Sequence, residues 1–444
     1  MEPFTVVMRK FANNGVIADP SEIGVRQARR RRFTHPSAAA PPRAHAQPLW
    51  LAKPRASIVT RKVPSSDRFD VIVVGAGIGG ALMAHSLCGK GLRILTIDRR
   101  HPVRGSSAES TAMIQHEIDV PLHRLARTIG HEKASRVWRR SAGAVEELES
   151  LIRDLGINCE FQSRHTLFLS GQELGTRALK REAQARQEVG ILADYLDRAA
   201  LLERYGINRS GAINSAISAS SNPVQMTTGI FRVARRQGVE VVGGLEVTDV
   251  REGGDNVIVA TDQGKMIEAA HVIFCSGYEF LECLRNPRHK LMSTWALASK
   301  PRLKRPDWLD KYLVWEASDP YLYFRSTSDG RVIVGGEDEK GEAAYLDPTK
   351  IEHKTAVLVE KLADLTGISL GKPDFSWSAA FGVTPDGLPM IGTAPGMSRI
   401  FVNGIWREWH YVCKNCGRPD IRRGSRPPGR RLGSVSPSVA WNGC

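Results

Sequence analysis

Residues 70–98 read DVIVVGAGIGGALMAHSLCGKGLRILTID, and this stretch constrains the fold more than any other. Asp70 to Val74 is a short apolar run rich in β-branched residues, which predicts a buried parallel strand. It breaks into Gly75-Ala76-Gly77-Ile78-Gly79-Gly80, a G-x-G-x-x-G sequence. In such a turn Gly75 permits the sharp reversal and Gly77 lets backbone N–H groups approach a pyrophosphate. Gly80 lets the next helix lie close to the strand. That helix is expected from about Ile78 to Lys90, with its positive N-terminal end facing the phosphates. Gly91 ends it, Leu92 to Ile97 forms a second strand, and Asp98 closes that strand. An acid there can accept hydrogen bonds from a ribose hydroxyl.

The glycines follow a strand, open a helix and precede an acid at the expected distance, so the chain reads as dinucleotide-binding. The motif alone does not separate FAD from NAD. Arg99 and Arg100 could meet a 2′-phosphate or could be a solvated pair after the strand.

Charge excludes a simple nucleic-acid reading. The 444 residues carry a formal charge of +15, but residues 1–66 account for +9 and residues 405–444 for +6. Residues 67–404 are therefore neutral, which fits a catalytic body better than a basic binding face. No stretch approaches the roughly 18 consecutive apolar residues of a membrane span. The seven cysteines are scattered and odd in number, which predicts a reducing, cytoplasmic setting. Cys413-Lys414-Asn415-Cys416 has no second pair to complete a zinc site, so no metal is expected. The N-terminal segment holds Arg29-Arg30-Arg31-Arg32 but no following apolar core, since Pro36, Pro41, Pro42 and Pro48 interrupt it. Residues 1–66 are accordingly expected to be a disordered basic extension, with a transit peptide as the alternative.

Downstream, Val137, Ser141, Ala144, Leu148, Leu151 and Leu155 recur at helical spacing. Asp197 is placed to cap a short helix to Tyr205, and Asn222-Pro223 to open one to about Gln237. Val272 to Cys275 reads as a buried strand that ends at Ser276-Gly277, a second place for backbone to meet a cofactor. Tyr321 to Ser326 and Arg331 to Val334 read as a hairpin around Ser328-Asp329-Gly330. His165 and His271 read as packed or surface histidines.

Four segments in this order resemble the FAD-dependent D-amino-acid oxidase-like (DAO) family, which includes glycine and sarcosine oxidases. They are Val74 to Gly80; Ser110-Thr111-Ala112-Met113 before Glu117-Ile118-Asp119; Cys275-Ser276-Gly277-Tyr278; and Thr384-Pro385-Asp386-Gly387-Leu388-Pro389-Met390-Ile391-Gly392. The resemblance implies an α/β fold in which a Rossmann-like FAD-binding domain carries an inserted antiparallel-sheet substrate domain. The FAD domain is expected from 67–120, 205–285 and 375–404, and the substrate domain from 121–204 and 286–374. The resemblance further implies that Gly75, Gly77 and Gly80 bind the pyrophosphate and Asp98 the adenosine ribose, where the family more often has Glu. Ser110 and Thr111 lie by the flavin phosphates and ring, Val247 pairs its backbone with adenine, and Gly277 and Gly392 approach the cofactor. The implied reaction is hydride removal from the C–N bond of an amine or amino acid, with oxygen or another acceptor reoxidising the flavin. No side-chain base is nominated as catalytic. Arg325, on one strand face with Tyr321 and Tyr323, is either a fork for a substrate carboxylate or an ordinary strand residue, and Tyr323 is placed beside it. A flavin monooxygenase, an NAD-linked dehydrogenase and a non-enzymatic protein that binds acidic partners through its basic ends remain as alternatives.

The resemblance stops at Phe401-Val402-Asn403-Gly404. The family continues with Tyr-Gly-Gly-Asn-Gly-Ile-Thr and a helix, whereas this chain has Ile405-Trp406-Arg407-Glu408-Trp409-His410-Tyr411. A permitted choice of codons for Ile405 to Gly417, read one base later, spells Tyr-Gly-Gly-Asn-Gly-Ile-Thr-Tyr-Ala-Lys-Ile-Ala-Ala. This points to a frameshift near residue 405 and an aberrant tail over 405–444.

Overall fold

A computed structural model describes residues 47–52, 57–285, 289–341 and 343–404. The expected basic tail, its cysteine pair and the frameshifted segment lie outside the described residues, as do residues 1–46. The strands are β1 (Arg68–Val74), β2 (Ile94–Asp98), β3 (Met113–Gln115), β4 (Gln162–Leu169), β5 (Asp194–Asp197), β6 (Gly211–Ser220), β7 (Glu240–Gly243), β8 (Val247–Gly253) and β9 (Asn256–Thr261). They continue as β10 (Met266–Phe274), β11 (Lys290–Ala298), β12 (Tyr312–Glu316), β13 (Leu322–Ser326), β14 (Val332–Lys340), β15 (Phe375–Val383), β16 (Met390–Thr393) and β17 (Ile400–Gly404). The helices that matter below are α1 (Leu49–Ala52), α2 (Ile78–Leu87), α3 (Ser106–Glu109), α4 (Leu122–Ile129), α5 (His131–Asp154), α6 (Thr176–Glu188), α7 (Arg198–Tyr205), α8 (Pro223–Arg236) and α9 (Thr349–Thr366).

The first sheet runs β16-β17-β10-β1-β2-β7, with β8 and β9 attached through β10. Its β10-β1-β2-β7 centre is parallel, and Val71, Ile72 and Val73 are fully buried there. That explains the unbroken apolar run in the sequence. The second sheet runs β15-β11-β14-β13-β12-β4-β6-β3 and is antiparallel except where β12 meets β4. Local rules held in several places. Asp197 Oδ1 caps α7 by accepting from the Ala200 N–H at 2.9 Å, and Asn222 Oδ1 caps α8 by accepting from the Gln225 N–H at 3.1 Å.

The sheets divide the chain differently from the expected boundaries. β3, β6 and β15 fall within segments expected in the cofactor domain, yet all three are strands of the second sheet. The reason is pairing at a distance: β3 and β4 both pair with β6, and β15 pairs with β11. The expected disorder of 1–66 is also corrected for its described part. Leu49 and Trp50 are buried, Arg232 donates to the Ser57 carbonyl, and the Ser65 N–H donates to Glu240 at 2.7 Å. Leu49, Trp50 and Ile58 join the core of the first sheet and dock this basic, proline-rich stretch.

A buried charged network ties the helices of the second domain to its sheet. Arg186 on α6 has no solvent exposure and donates to Glu117 at 2.6 Å and to Glu182 at 2.8 Å. Glu182 also accepts from the backbone N–H groups of Leu122 and His123, at the start of α4. Trp315 on β12 donates to the other oxygen of Glu117 at 3.1 Å, and the guanidinium lies over Trp138 of α5. Burial alone would raise the Glu182 carboxyl, but the Arg186 charge and the surrounding donors hold it at about 2.

Candidate cofactor and active site

The glycine turn has the geometry its sequence predicts. Gly75 sits at φ +108°, and a Cβ there would strike the Cys275 carbonyl at the end of β10. A Cβ on Gly80 would strike the carbonyl oxygen of Gly75, so only glycine lets α2 lie this close to the turn. A Cβ on Gly77 would come within 2.9 Å of the Ser107 hydroxyl. This backbone cradle at a helix N-terminus, closed by an acid, fits a dinucleotide pyrophosphate.

Asp98 accepts from the Ala76 N–H at 2.6 Å and the Arg100 N–H at 2.8 Å. Burial raises its carboxyl, and these two bonds oppose the shift. Each carboxylate oxygen retains a second lone pair for a ribose hydroxyl. Arg100 donates to both oxygens of Glu279, at 3.0 and 2.8 Å, and Arg99 also pairs with Glu279. The two arginines thus form a closed ion-pair cluster instead of a solvated pair or a fork for a 2′-phosphate. Val247 opens β8 shortly after Leu245, whose N–H donates to the Asp98 carbonyl at 3.1 Å.

Sequence reasoning missed Ser107. Its hydroxyl accepts from the Ile78 N–H at 3.0 Å, which ties α3 to the N-terminus of α2. The available signal was a hydroxylated residue shortly after the acid at a strand end. The neighbouring loop is tightly specified. Ser110 Oγ accepts from the Ala112 N–H at 3.0 Å, and Ala112 sits at φ +54°, an uncommon conformation for a non-glycine residue. Gly277, at φ +68°, faces Ser106 of the same loop region. Gly392, at φ +155°, lies on β16 next to β17 in the first sheet.

The second sheet has two faces of different character. Leu322, Phe324, Val332, Val334, Trp295 and Leu297 pack under α9. Ala296, Ala298, Ile333 and Trp377 join a core shared with Ala108, Ala112 and residues of α2, so this face meets the cofactor loop. Tyr323 and Arg325 lie on that second face, as the period-two reading required. The structure corrects the reading of Arg325 as a free carboxylate fork. Arg325 is 2% exposed and donates to the carbonyls of Thr111 at 2.7 Å, Ser326 at 3.0 Å and Ser221 at 3.3 Å. Burial pulls its guanidinium down to about 9. It is a buried clasp on the loop, with three of its five N–H donors on backbone carbonyls.

Trp50 completes the clasp from outside both sheets. Its indole N–H donates to the Ser110 carbonyl at 2.7 Å, and the Arg325 guanidinium lies 5.5 Å from its ring centre. Trp50→Ala is expected to cost about 3–5 kcal/mol, as for other buried tryptophans, and to weaken FAD retention with it. Trp50→Phe keeps the packing and loses one hydrogen bond, for about 1 kcal/mol. Thermal unfolding with FAD present and absent reads both, and an unchanged melting temperature for the alanine variant would refute the clasp.

A surface cleft of about 680 Å³ opens elsewhere, lined among others by Ser170, Arg209, Glu316, Asp319 and Lys361. None of the cofactor-cradle residues lines it, so its size does not mark the chemistry. Among the described residues no cluster of His, Cys, Asp and Glu could hold a metal ion, and no helix is long and apolar enough to cross a membrane.

Known proteins give the same frame. The structure superposes on glycine oxidase from Geobacillus kaustophilus with a TM-score of 0.65 at 19% identity, covering 79% of this chain and 92% of that one. For L-proline dehydrogenase from P. horikoshii the TM-score is 0.63 at 16% identity, with 78% and 90% covered. A Bacillus subtilis (strain 168) relative named "Putative Rieske 2Fe-2S iron-sulfur protein YhfW" is 22% identical over 344 residues, which are 77% of this chain. The chain spans 65% of that relative's length. Residues 70–412 match the model of the DAO family, described as FAD dependent oxidoreductase. With the glycine cradle and two-sheet architecture in place, the chain belongs to the DAO family of FAD-dependent oxidoreductases.

Proposed function

We propose that this enzyme oxidises the C–N bond of a small amine or amino acid. The observation that carries the reading is the face of the second sheet turned toward the cofactor loop. There the Tyr323 phenol lies beside Thr111 of that loop, and Thr294 and Asp338 continue the polar face. The solved relatives are named for amino-acid oxidation and dehydrogenation, which supports the same class of substrate. FAD, when bound, supplies the hydride acceptor. Gly75, Gly77 and Gly80 hold its pyrophosphate against α2, Asp98 its ribose and Val247 its adenine. Gly277 and Gly392 let backbone come close to it. Arg325 and Trp50 fix the Ser110–Thr111 loop along it. Tyr323 and Thr294 form a polar wall beside the loop and orient the substrate against it. Oxygen or another acceptor completes the cycle.

Anaerobic mixing tests this directly. In the FAD-loaded, frame-restored form, amines or amino acids should bleach the visible flavin absorbance, and NADH should not. Bleaching by NADH alone supports a monooxygenase or NAD-linked enzyme instead.

The same absorbance tests the tail. In the family pattern, the Tyr-Gly-Gly-Asn-Gly-Ile-Thr segment opens a helix whose N-terminus points at the flavin's pyrimidine edge and favours negative charge there, and residues 405–411 do not carry that sequence. The chain as written should therefore purify with little FAD, and a form with the reading frame restored near residue 405 should purify yellow and turn over an amine. A yellow, active chain as written would sink the frameshift reading.

A further inference from the structure

The wall facing the cofactor loop contains a feature that neither strand alternation nor the glycine motif accounts for. β14 pairs with β11 through Ser293↔Glu339 on one side and Trp295↔Gly336 on the other, so β14 holds one extra residue opposite Thr294. This is a β-bulge, a device that re-aims side chains. Glu337, within it, sits at φ +60°, a left-handed conformation that is uncommon without glycine. The bulge exchanges the two faces. Val332 and Val334 lie under α9, and strict alternation would put Asp338 there and turn Glu337 toward the cofactor loop. Instead Glu337 pairs with Lys354 and Lys361 of α9. Asp338 is thereby turned to the face that carries Tyr323 and Thr294.

Its surroundings there lead to the cofactor loop. Tyr323 lies opposite Gly335 and its ring fills the space a Gly335 side chain would take. The Tyr323 phenol is within hydrogen-bond reach of Thr111 and Thr294, and Thr294 hydrogen-bonds the Asp338 carboxyl. Tyr323 and Thr294 thus lie between Thr111 and Asp338 on this face, and the Thr294 hydroxyl also donates to the Gly336 carbonyl at 3.4 Å. One Asp338 oxygen, Oδ1, is sealed from solvent, while the residue as a whole is partly exposed. The arginine on the same face, Arg325, is 2% exposed and has Nε and both terminal nitrogens engaged with carbonyls, so it presents no open fork to a carboxylate.

We propose that Asp338 is the amine-recognising residue of the site, so that the substrate is selected by its cationic nitrogen and not by a carboxylate. This rests on the C–N oxidation reading above. The ionised Asp338 carboxylate pairs with the substrate ammonium and then takes one of its protons. The N–H bond breaks, an O–H bond forms on Asp338, and the electron pair stays on nitrogen, where it assists hydride departure from the adjacent carbon to FAD. Thr294, beside Asp338, positions the acceptor.

Asp338 is suited to this exchange. Burial raises its carboxyl to about 8, with Thr294 opposing and the acids Asp119, Asp319 and Glu337 adding to the rise. Tyr323 faces it as well, and burial pushes that phenol up, so it stays neutral. A carboxyl in this range is closer to an ammonium in proton affinity than an ordinary aspartate, so transfer between them is nearly balanced.

The test uses calorimetry on the full chain with excess FAD. The probes are pyrrolidine (cation only), L-proline (cation and carboxylate) and 2-furoate (carboxylate only). Pyrrolidine and L-proline should bind with similar affinity, and 2-furoate should not bind. Below pH 7 a protonated Asp338 must first lose its proton. Pyrrolidine binding should therefore tighten about tenfold per pH unit and level off above about 8. Two buffers of different ionisation enthalpy should show about one proton released at pH 7. Asp338→Asn should weaken binding at least tenfold at pH 8 and abolish the proton release, and Asp338→Glu should restore part of both. If Asp338→Asn does not fold, Thr294→Val replaces it and should move the pH midpoint upward. An unchanged Asp338→Asn or Thr294→Val profile, or binding of 2-furoate in preference to pyrrolidine, overturns the proposal. The outcomes separate from those of the function reading. Pyrrolidine binding governed by Asp338, with no flavin bleaching by any amine in the FAD-loaded, frame-restored form, defeats the oxidation reading alone. Bleaching with an unaltered Asp338→Asn profile defeats the amine-recognition proposal alone.

Discussion

Replacing Arg186 with leucine should destabilise the enzyme by about 3–5 kcal/mol near pH 7, the usual consequence of removing one partner from a buried ion pair. Glu117 and Glu182 have no solvent exposure, and Arg186 is the guanidinium both of them contact. Leucine would fill much of the volume against Trp138 and Phe168 but leave two carboxylates in the core without that charge. The pH dependence gives the sharper test. In the parent chain Glu182 titrates at about 2 against an ordinary 4.5. A carboxyl depressed in this way contributes stability that is fully present above 4.5 and is lost as pH falls through 2. In the leucine variant Glu182 loses the Arg186 charge that holds its carboxyl down, so burial raises its folded-state value. That variant should gain relative stability as pH is lowered from 7 toward 4, the reverse of the parent. Urea unfolding at pH 4 and pH 7 measures both slopes. A variant that loses the same amount at both pH values would show that the network acts through packing and not through charge.

The second large effect is expected at the cofactor cradle. Gly80→Ala places a methyl group against the Gly75 carbonyl, a rigid backbone atom that cannot rotate away. The helix must move off the turn, and overpacking of this kind costs about 1–3 kcal/mol. Displaced N–H groups no longer meet a pyrophosphate, so FAD affinity should fall by up to roughly 100-fold, at 1.4 kcal/mol per factor of ten. The sheet itself should persist, because β1 keeps its pairing with β2 and β10. Gly143→Ala is the control. Gly143 lies inside α5 with open space where its Cβ would sit. Alanine there should stabilise by about 0.5–1 kcal/mol. Flavin fluorescence during FAD titration separates the two variants. Equal FAD affinity in both would mean that α2 tolerates the shift and that the third glycine is not what sets cofactor binding.

These predictions draw on different kinds of information. The glycine turn, the capping residues Asp197 and Asn222 and the central strand β1 were legible in the sequence because each is decided locally. Backbone conformation, helix capping and a strand buried on both faces leave marks within a few residues of themselves. The family resemblance extended this to the two-sheet plan. The domain boundaries were less accessible, since β3, β6 and β15 join the second sheet through partners far away in sequence.

The candidate site divides in the same way. Gly75, Gly77, Gly80 and Asp98 could be named from spacing alone, because the phosphate cradle is one contiguous strand-turn-helix-strand unit. The strand face shared by Tyr323 and Arg325 was equally readable from alternation. What Arg325 does with its donors was not, because the carbonyls of Thr111 and Ser221 reach it only through the assembled fold. Trp50 could not be identified from a basic, proline-rich segment, for it becomes a structural residue only where Ser110 and Arg325 meet it. Asp338 is the clearest case. Alternation from Val334 puts it under α9, and only the extra residue in β14, fixed by pairing with β11, turns it toward the cofactor loop. The sequence by itself determined the cofactor cradle, since local backbone geometry is written in adjacent residues. Tertiary structure decided the substrate wall, since strand register and the fate of long buried side chains depend on partners that the chain supplies from elsewhere.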